Sequence, residues 1–172
     1  VALYNAWIAS GGARPSIVAG HSLGEYAALT AAGALTLEDA VRLVRIRADA
    51  MQAAVPVGTG GMAAILGLDD AAVIAACEQS TQGEVVEAVN FNAPMQVVIA
   101  GHKAAVERAC EAARAAGAKR AVVLPVSAPF HSSLLSPAAE VLARALAEVD
   151  VQSPQVPLIN NVDVAMPTQP RE

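Results

Sequence analysis

Aromatic residues and long runs of a single residue class are scarce in this sequence. Phe, Trp and Tyr make up 3% of the 172 residues, so Ala, Val, Leu and Ile must form most of any core. There is no long basic run and the net charge is −5, which argues against nucleic acid or an anionic membrane as a main partner. No apolar run approaches the roughly 20 residues that span a bilayer, and no signal-peptide pattern is present.

Cysteine is also rare. Cys77 and Cys110 lie far apart and lack the spacing of metal ligands. This favours two buried thiols in a reduced, cytoplasmic protein and predicts no metal site. Hydrophobic residues make up 55% of the chain and charged residues 16%, which predicts a packed core rather than disorder.

The two ends of the chain suggest a piece of a longer protein. It starts at Val1, inside an apolar pattern typical of a helix, and has no initiator Met. It finishes in the polar, proline-containing segment 167–172.

The outer parts of the chain, residues 1–58 and 128–172, predict an α/β core. A short apolar run at 16–20 is typical of a buried parallel strand, and helix formers follow from Ser22 to Ala32. Thr36, with Asp39 at the third position, predicts the start of a long helix that runs to about Val55. A helix over 137–148 and a strand over 156–160 complete this core.

Residues 59–127 predict a different unit. Its order is βαββαβ, the split-βαβ or ferredoxin-like arrangement, and it is flanked by a glycine-rich stretch and by prolines. The predicted strands cover 62–66, 85–91, 96–100 and 120–126, the helices 69–82 and 103–116, and Asn92-Ala93-Pro94 a turn. The predicted fold is therefore a hydrolase-like parallel-sheet core with an inserted ferredoxin-like subdomain.

The pentapeptide Gly20-His21-Ser22-Leu23-Gly24 lies between the predicted strand and helix. G-x-S-x-G in this setting is typical of a nucleophile elbow, in which a strained turn exposes the serine at a helix N-terminus. The N–H of Leu23 can then donate to an oxyanion, a contact worth about 3 kcal/mol. A serine that merely caps the helix is the alternative. The strand and helix on the expected sides favour Ser22 as a nucleophile.

A serine nucleophile needs a base, and the three histidines offer one candidate. The side chain of His21 is expected to point away from that of Ser22, and His102 starts a surface helix, where a solvated cap is expected. His131 lies in the loop 127–133 after a predicted strand, where catalytic groups are often found. Elimination therefore favours His131.

Arg47 lies on the flank of the apolar stripe of the long helix. At 100° per residue, that stripe is predicted to contain Ala40, Val41, Val44, Ala48, Met51 and Val55. An arginine here can extend along the core edge and keep its charge in water. It can equally place a guanidinium in a partly apolar pocket, where it would bind a carboxylate through two hydrogen bonds.

Four segments together resemble the malonyl-CoA:acyl carrier protein transacylases of bacterial fatty-acid synthesis. They are Gly20 to Tyr26, Arg47 with Met51, Asn90-Phe91-Asn92, and Pro129-Phe130-His131-Ser132. The resemblance covers essentially the whole chain in order. It implies a hydrolase-like core with a ferredoxin-like subdomain, and a Ser-His dyad with no acidic member.

The resemblance also implies residue roles. Ser22 is acylated by malonyl-CoA, His131 is the general base, and Leu23 supplies an oxyanion-hole N–H. Arg47 pairs with the malonyl carboxylate, with Met51 beside it, and Phe130 suits malonyl rather than a branched acyl group. Three further positions match the coenzyme A cleft, although a turn and a surface charge would explain them equally well: Asn92, Gln96 and Arg120.

The implied partners are malonyl-CoA and acyl carrier protein, with no metal or bound cofactor, and we expect a monomer. The family's first strand with its Gln-containing loop, and a final segment that holds the histidine, have no counterpart here, which implies an impaired catalyst. Three alternatives stay open: an acyltransferase domain of a polyketide synthase, a serine esterase of the α/β-hydrolase type, and a non-catalytic binding module.

Overall fold

Six α-helices and six strands form the part of the chain that the computed structural model describes, residues 1–126 and 128–169. The helices are α1 (Ala2–Ala9), α2 (Leu23–Ala31), α3 (Leu37–Ala54), α4 (Asp70–Ser80), α5 (Lys103–Ala115) and α6 (Ser136–Ala147). The strands are β1 (Val18–Ala19), β2 (Gly60–Leu66), β3 (Val86–Ala93), β4 (Gln96–His102), β5 (Arg120–Val123) and β6 (Leu158–Ile159). A 3-10 helix, Ser133–Leu135, directly precedes α6. Ser127 of the predicted catalytic loop and residues 170–172 of the predicted polar C-terminal segment lie outside the described residues.

Side-chain caps set the start of two helices, as their sequences predict. The hydroxyl of Thr36 accepts the N–H of Asp39 at 3.0 Å and donates to the Asp39 carboxylate, which fixes the first turn of α3. Asp69 accepts the N–H of Ala72 at 2.9 Å at the start of α4. Each cap satisfies one of the amides that a helix N-terminus leaves without a partner.

The chain divides into two compact units. One contains Val1–Ile46 together with the chain from Leu142 onward, and the other contains Arg47–Val141. The divisions fall inside α3 and α6. The sequence-based limits of 1–58, 59–127 and 128–172 stay a prediction.

The first unit holds a parallel pair of strands. Val18 of β1 pairs with Leu158 of β6, and Ala19 pairs with Ile159. The unit's buried cluster lies among the helices and contains Leu35, Ala40, Leu43 and Ala145. Because the two strands are parallel, the segments that follow them leave the same end of the sheet.

The buried face of α3 differs from the predicted stripe. Leu43 is fully buried, whereas Val41 is 61% exposed and Ala48 is exposed. The face is centred on Ala40 and Leu43 because these two pack with Leu35 and Ala145. Arg47, four residues after Leu43, lies about 40° from it around the helix and is half-buried.

The second unit holds an antiparallel sheet of strand order β3-β4-β2-β5. Apolar side chains of the strands and of α4 and α5 bury one face of this sheet. A smaller cluster, Met62, Val98 and Ala100, covers the other face. The alternation of strand side chains produces these two faces, since successive residues of a strand point in opposite directions.

The turn between β3 and β4 was predicted wrongly. Asn92 and Ala93 continue β3, and Ala93 pairs with Gln96, so Pro94 and Met95 alone form the turn. Met95 adopts a φ of 62°, the left-handed conformation that such a short connection requires. Asparagine and proline marked the region correctly, but strand pairing set its limits.

Both cysteines are buried and free, as the sequence predicts. They lie on α4 and α5 in the cluster that these helices share with the sheet. Burial raises the pKa of the Cys77 thiol to about 12 and also raises the pKa of Cys110. Within residues 1–126 and 128–169, none of the helices has the length and apolar character needed to cross a membrane.

Candidate active site

Ser22 occupies a sharp turn between β1 and α2. It is the residue before the first turn of α2, with φ 52° and ψ −108°. A positive φ is uncommon for any residue but glycine and costs on the order of 1–3 kcal/mol. Such strain persists where the surrounding structure holds it, and here it places a serine at a helix N-terminus, as the sequence motif predicts.

Gly20 is the glycine that this turn requires. A Cβ on Gly20 would lie 2.1 Å from the carbonyl carbon and oxygen of Gly24 and 2.4 Å from the amide nitrogen of Glu25. The chain before Ser22 therefore passes directly against the backbone of α2. Gly24 has no such close contact, because a Cβ there would meet no described atom within 4 Å.

Asn161 holds the turn from the loop after β6. The N–H of Ser22 donates to the Asn161 side-chain oxygen at 2.6 Å, and the N–H of Asn161 donates to the Glu25 carboxylate at 2.9 Å. Sequence reasoning missed Asn161, which is separated from Ser22 by 139 positions. The only local signal was two polar residues, Asn160 and Asn161, directly after a short apolar strand.

Leu23 is the first residue of α2. An N–H in the first turn of a helix has no intrahelical acceptor. The following amides, those of Gly24 and Glu25, donate to the carbonyl oxygens of His21 and Ser22. This arrangement suits the Leu23 amide to stabilise a negative charge that develops next to Ser22.

His131 lies in the second unit, in a loop that follows β5. It is exposed and has a φ of 67°, so both predicted catalytic residues have a positive φ. The next residue, Ser132, is buried, and its hydroxyl donates to the carbonyl of Pro129 at 2.8 Å. Pro129 packs directly against Gly60. A Cβ on Gly60 would lie 2.4 Å from the Cδ of this proline.

His102 has a structural role that differs from the predicted solvated cap. Its Nδ1 accepts the N–H of Val85 at 2.9 Å, and the side chain is half-buried at the junction of β4 and α5. This bond occupies one ring nitrogen, so the structure gives His102 a task other than base catalysis.

The residues predicted to contact the acyl group lie in the second unit. Arg47 and Met51, one helical turn apart on α3, are both half-buried. Phe130 packs against the small cluster of Met62, Val98 and Ala100. Phe130 thus contributes to a core as well as adjoining His131.

The three residues predicted for the coenzyme A cleft lie together at one end of the antiparallel sheet. Gln96 and Arg120 flank Leu66, since both pair with it from opposite sides. Asn92 precedes Ala93, the partner of Gln96, and all three side chains are exposed. Pro129 contacts Gly60 at the opposite end of β2, about 20 Å away at 3.3 Å per residue. The structure therefore does not place these residues beside His131.

Comparison with known proteins identifies the family. The model for the acyl transferase domain matches residues 1–171, and the chain belongs to this family. A curated malonyl CoA-acyl carrier protein transacylase from Salmonella typhimurium is 59% identical over 168 residues, which are 98% of this chain and 54% of that protein.

Solved structures agree with this assignment. An acyl-carrier-protein S-malonyltransferase from Burkholderia pseudomallei 1710b matches with a TM-score of 0.96 and 64% identity, over 99% of this chain and 55% of that one. PlMCAT, a malonyl-transacylase solved in complex with the type II PKS acyl-carrier protein AntF, matches with a TM-score of 0.97 and 50% identity, over 99% and 55%. The chain spans about half the length of the curated relatives it matches.

Proposed function

We propose that this chain transfers a malonyl group from malonyl-CoA to the phosphopantetheine thiol of acyl carrier protein, through an acyl-enzyme on Ser22. The observation that carries the proposal is the strained turn at Ser22 in a chain 59% identical to a malonyl CoA-acyl carrier protein transacylase. In the first half-reaction the Ser22 oxygen attacks the thioester carbonyl, and the bond to the coenzyme A sulfur breaks. In the second, the carrier thiol takes the malonyl group and Ser22 regains its proton.

His131 accepts the Ser22 proton during attack and returns it to the leaving thiolate. The Leu23 amide donates to the oxyanion of each tetrahedral intermediate. The positive φ values of Ser22 and His131 support their roles as nucleophile and base, because strained residues cluster at functional sites.

Arg47 selects the malonyl group in this proposal. A malonyl group carries a carboxylate that an acetyl group lacks, and the planar guanidinium can bind both of its oxygens. Arg47 supports this role by lying half-buried on α3, where charge-assisted hydrogen bonds are stronger than in water. Met51 and Phe130 line the acyl site beside it.

We further propose that Asn92, Gln96 and Arg120 bind coenzyme A at their end of the sheet. The fold proposed for the whole is a hydrolase-like core with a ferredoxin-like subdomain of residues 59–127, supported by the strand order β3-β4-β2-β5. We place the protein in the cytoplasm, as a monomer whose partner is acyl carrier protein.

Mass spectrometry tests the acyl-enzyme. The chain is extended at both ends with the matching segments of a relative, incubated with malonyl-CoA, and its intact mass is measured before and after addition of phosphopantetheinylated acyl carrier protein. We expect a malonyl adduct that Ser22→Ala abolishes and that the carrier protein removes. An adduct that persists in Ser22→Ala would exclude the proposed nucleophile.

The selectivity for malonyl over acetyl transfer tests the proposed role of Arg47. We expect Arg47→Ala to lower kcat/KM for malonyl-CoA by about 100-fold, because losing a buried charge-assisted contact costs about 2–4 kcal/mol and each 1.4 kcal/mol is tenfold. Acetyl transfer should change little, and Arg47→Lys should recover part of the loss. Arg45→Ala, an exposed arginine of the same helix, is the matched control. An unchanged malonyl-to-acetyl ratio in Arg47→Ala would make this arginine structural.

A carrier protein of polyketide synthesis is a second candidate acceptor. The relative PlMCAT was solved in complex with a type II PKS acyl-carrier protein, and this observation supports the second candidate. Transfer rates to the two kinds of carrier, compared at equal concentration, distinguish the alternatives.

A further inference from the structure

The loop that carries His131 lies on one face of the antiparallel sheet. Phe130 packs against the cluster of Met62, Val98 and Ala100 on that face. Pro129 fills the space next to Gly60, where any larger residue would collide with the proline ring. Apolar contacts therefore hold the loop on the N-terminal side of His131.

A carboxylate holds the loop on the other side. One oxygen of Glu87 accepts the N–H of Ser133 at 2.7 Å, and the other accepts the Ser133 hydroxyl at 2.8 Å. Both donors belong to one residue, two positions after His131. Two charge-assisted hydrogen bonds to a single residue define its orientation as well as its distance.

Glu87 is itself fixed by the sheet. It lies in β3 in register with Ala100 of β4, whose side chain belongs to the cluster that contacts Phe130. Its neighbour Val86 is buried in the cluster on the other face of the sheet, the face that α4 and α5 cover. Because strand residues alternate between faces, burial of Val86 directs Glu87 toward the loop.

His131 lies between two parts of the loop that are held by hydrogen bonds. Ser132 closes the turn locally by donating to Pro129, and Ser133 starts the 3-10 helix that leads into α6. His131, which lies between Phe130 and the two serines, has a φ of 67°. A residue in this conformation keeps it only while its surroundings enforce it.

We propose that Glu87 is a positioning residue, which holds the His131 imidazole in place for proton transfer by binding both donors of Ser133. The inference rests on the proposed role of His131 as the base. A general base displaced by about 1 Å can lose 100-fold in rate, so an attachment of this kind acts on the chemical step rather than on substrate binding.

The experiment compares Glu87→Ala, Glu87→Gln and Ser133→Ala in the extended protein. Glu107→Gln, an exposed glutamate on α5 of the same unit, is the matched control. The measurements are the single-turnover rate of Ser22 acylation by malonyl-CoA, the KM for malonyl-CoA, the thermal unfolding midpoint, and the ¹³Cε1 NMR signal of His131. The signal is assigned by its loss in His131→Ala.

We expect acylation to slow about 10- to 100-fold in Glu87→Ala, with KM unchanged. Glu87→Gln, which keeps one acceptor oxygen, should lie between it and the wild type. Glu87→Ala combined with Ser133→Ala should be no slower than Glu87→Ala alone, since Glu87→Ala already removes the one bond that Ser133→Ala removes. The His131 signal should shift or broaden in the Glu87 variants and stay unchanged in Glu107→Gln.

Other outcomes overturn the proposal. An unchanged His131 signal in a folded Glu87 variant does so whatever the rate, as does a slowed rate that Glu107→Gln reproduces. If the Glu87 variants fail to fold, Ser133→Ala tests the proposal, because it removes only one of the two bonds. An unaltered His131 signal in that variant also counts against a positioning role for Glu87. If the wild type forms no malonyl adduct, the proposed function fails, while the NMR comparison still tests the attachment of the loop.

Discussion

Replacing Gly20 by alanine should destabilise the protein strongly, and replacing Gly24 should not. A methyl carbon on Gly20 would lie 2.1 Å from two backbone atoms of Gly24. Carbon atoms in contact are separated by about 3.5 Å, so the chain before Ser22 and α2 must separate by about 1.4 Å. The colliding atoms are backbone and cannot rotate away, as a side chain would.

The expected magnitude follows from this geometry. Overpacking a tight site costs about 1–3 kcal/mol, and a backbone collision belongs at the upper end of that range. For a chain of this size, a loss of about 3 kcal/mol lowers the unfolding midpoint by roughly 6–12 °C. Gly24→Ala meets open space within α2 and gains helix propensity, so it should stabilise by up to about 1 kcal/mol.

Circular dichroism measures both changes in thermal and urea unfolding. Gly24→Ala serves as the matched control, since it adds the same methyl group four residues away. Equal midpoints for the two variants, or a Gly20→Ala midpoint within about 2 °C of the wild type, would refute the close approach that we derive for the turn at Ser22.

Three further predictions concern other residues. Asn161→Ala removes the acceptor of the Ser22 amide and should lower the free energy of unfolding by about 1 kcal/mol in urea titrations; no change would mean that the turn stands without this bond. His131→Ala should slow acylation by about 10²–10⁴-fold in single-turnover assays, whereas His102→Ala should lower stability and leave that rate near the wild-type value; the reverse pattern would assign the base to the wrong histidine. Cys77, with its pKa raised to about 12 by burial, should resist iodoacetamide at pH 8 and react after denaturation, as mass spectrometry would detect; rapid labelling of the native chain would contradict its burial.

Local chemistry made several features predictable. Thr36 and Asp69 start their helices because a cap bonds an amide two or three positions away. The strained serine turn was predictable because G-x-S-x-G needs only the strand before it and the helix after it. The order of strands and helices in residues 59–127 followed from apolar patterns bounded by glycine and proline.

Contacts between distant segments decided the rest. The stripe of α3 shifted to Ala40 and Leu43 because its packing partners, Leu35 and Ala145, lie on other segments of the first unit. The predicted turn at Asn92 became strand because Ala93 had Gln96 to pair with. Periodicity indicates which residues of an element share a face, but it does not indicate which face packs against another segment of the chain.

The sequence by itself determined which residues could do chemistry here: a serine in an elbow motif, one histidine in a suitable loop, and an arginine on the edge of a helix. Only the tertiary structure decided what holds the first two in place. Asn161 and Glu87 act on residues 139 and 46 positions away, through hydrogen bonds that depend on strand pairing. A lone asparagine or glutamate carries no pattern of its own, so its role exists only once folding has brought a specific donor within about 3 Å of it.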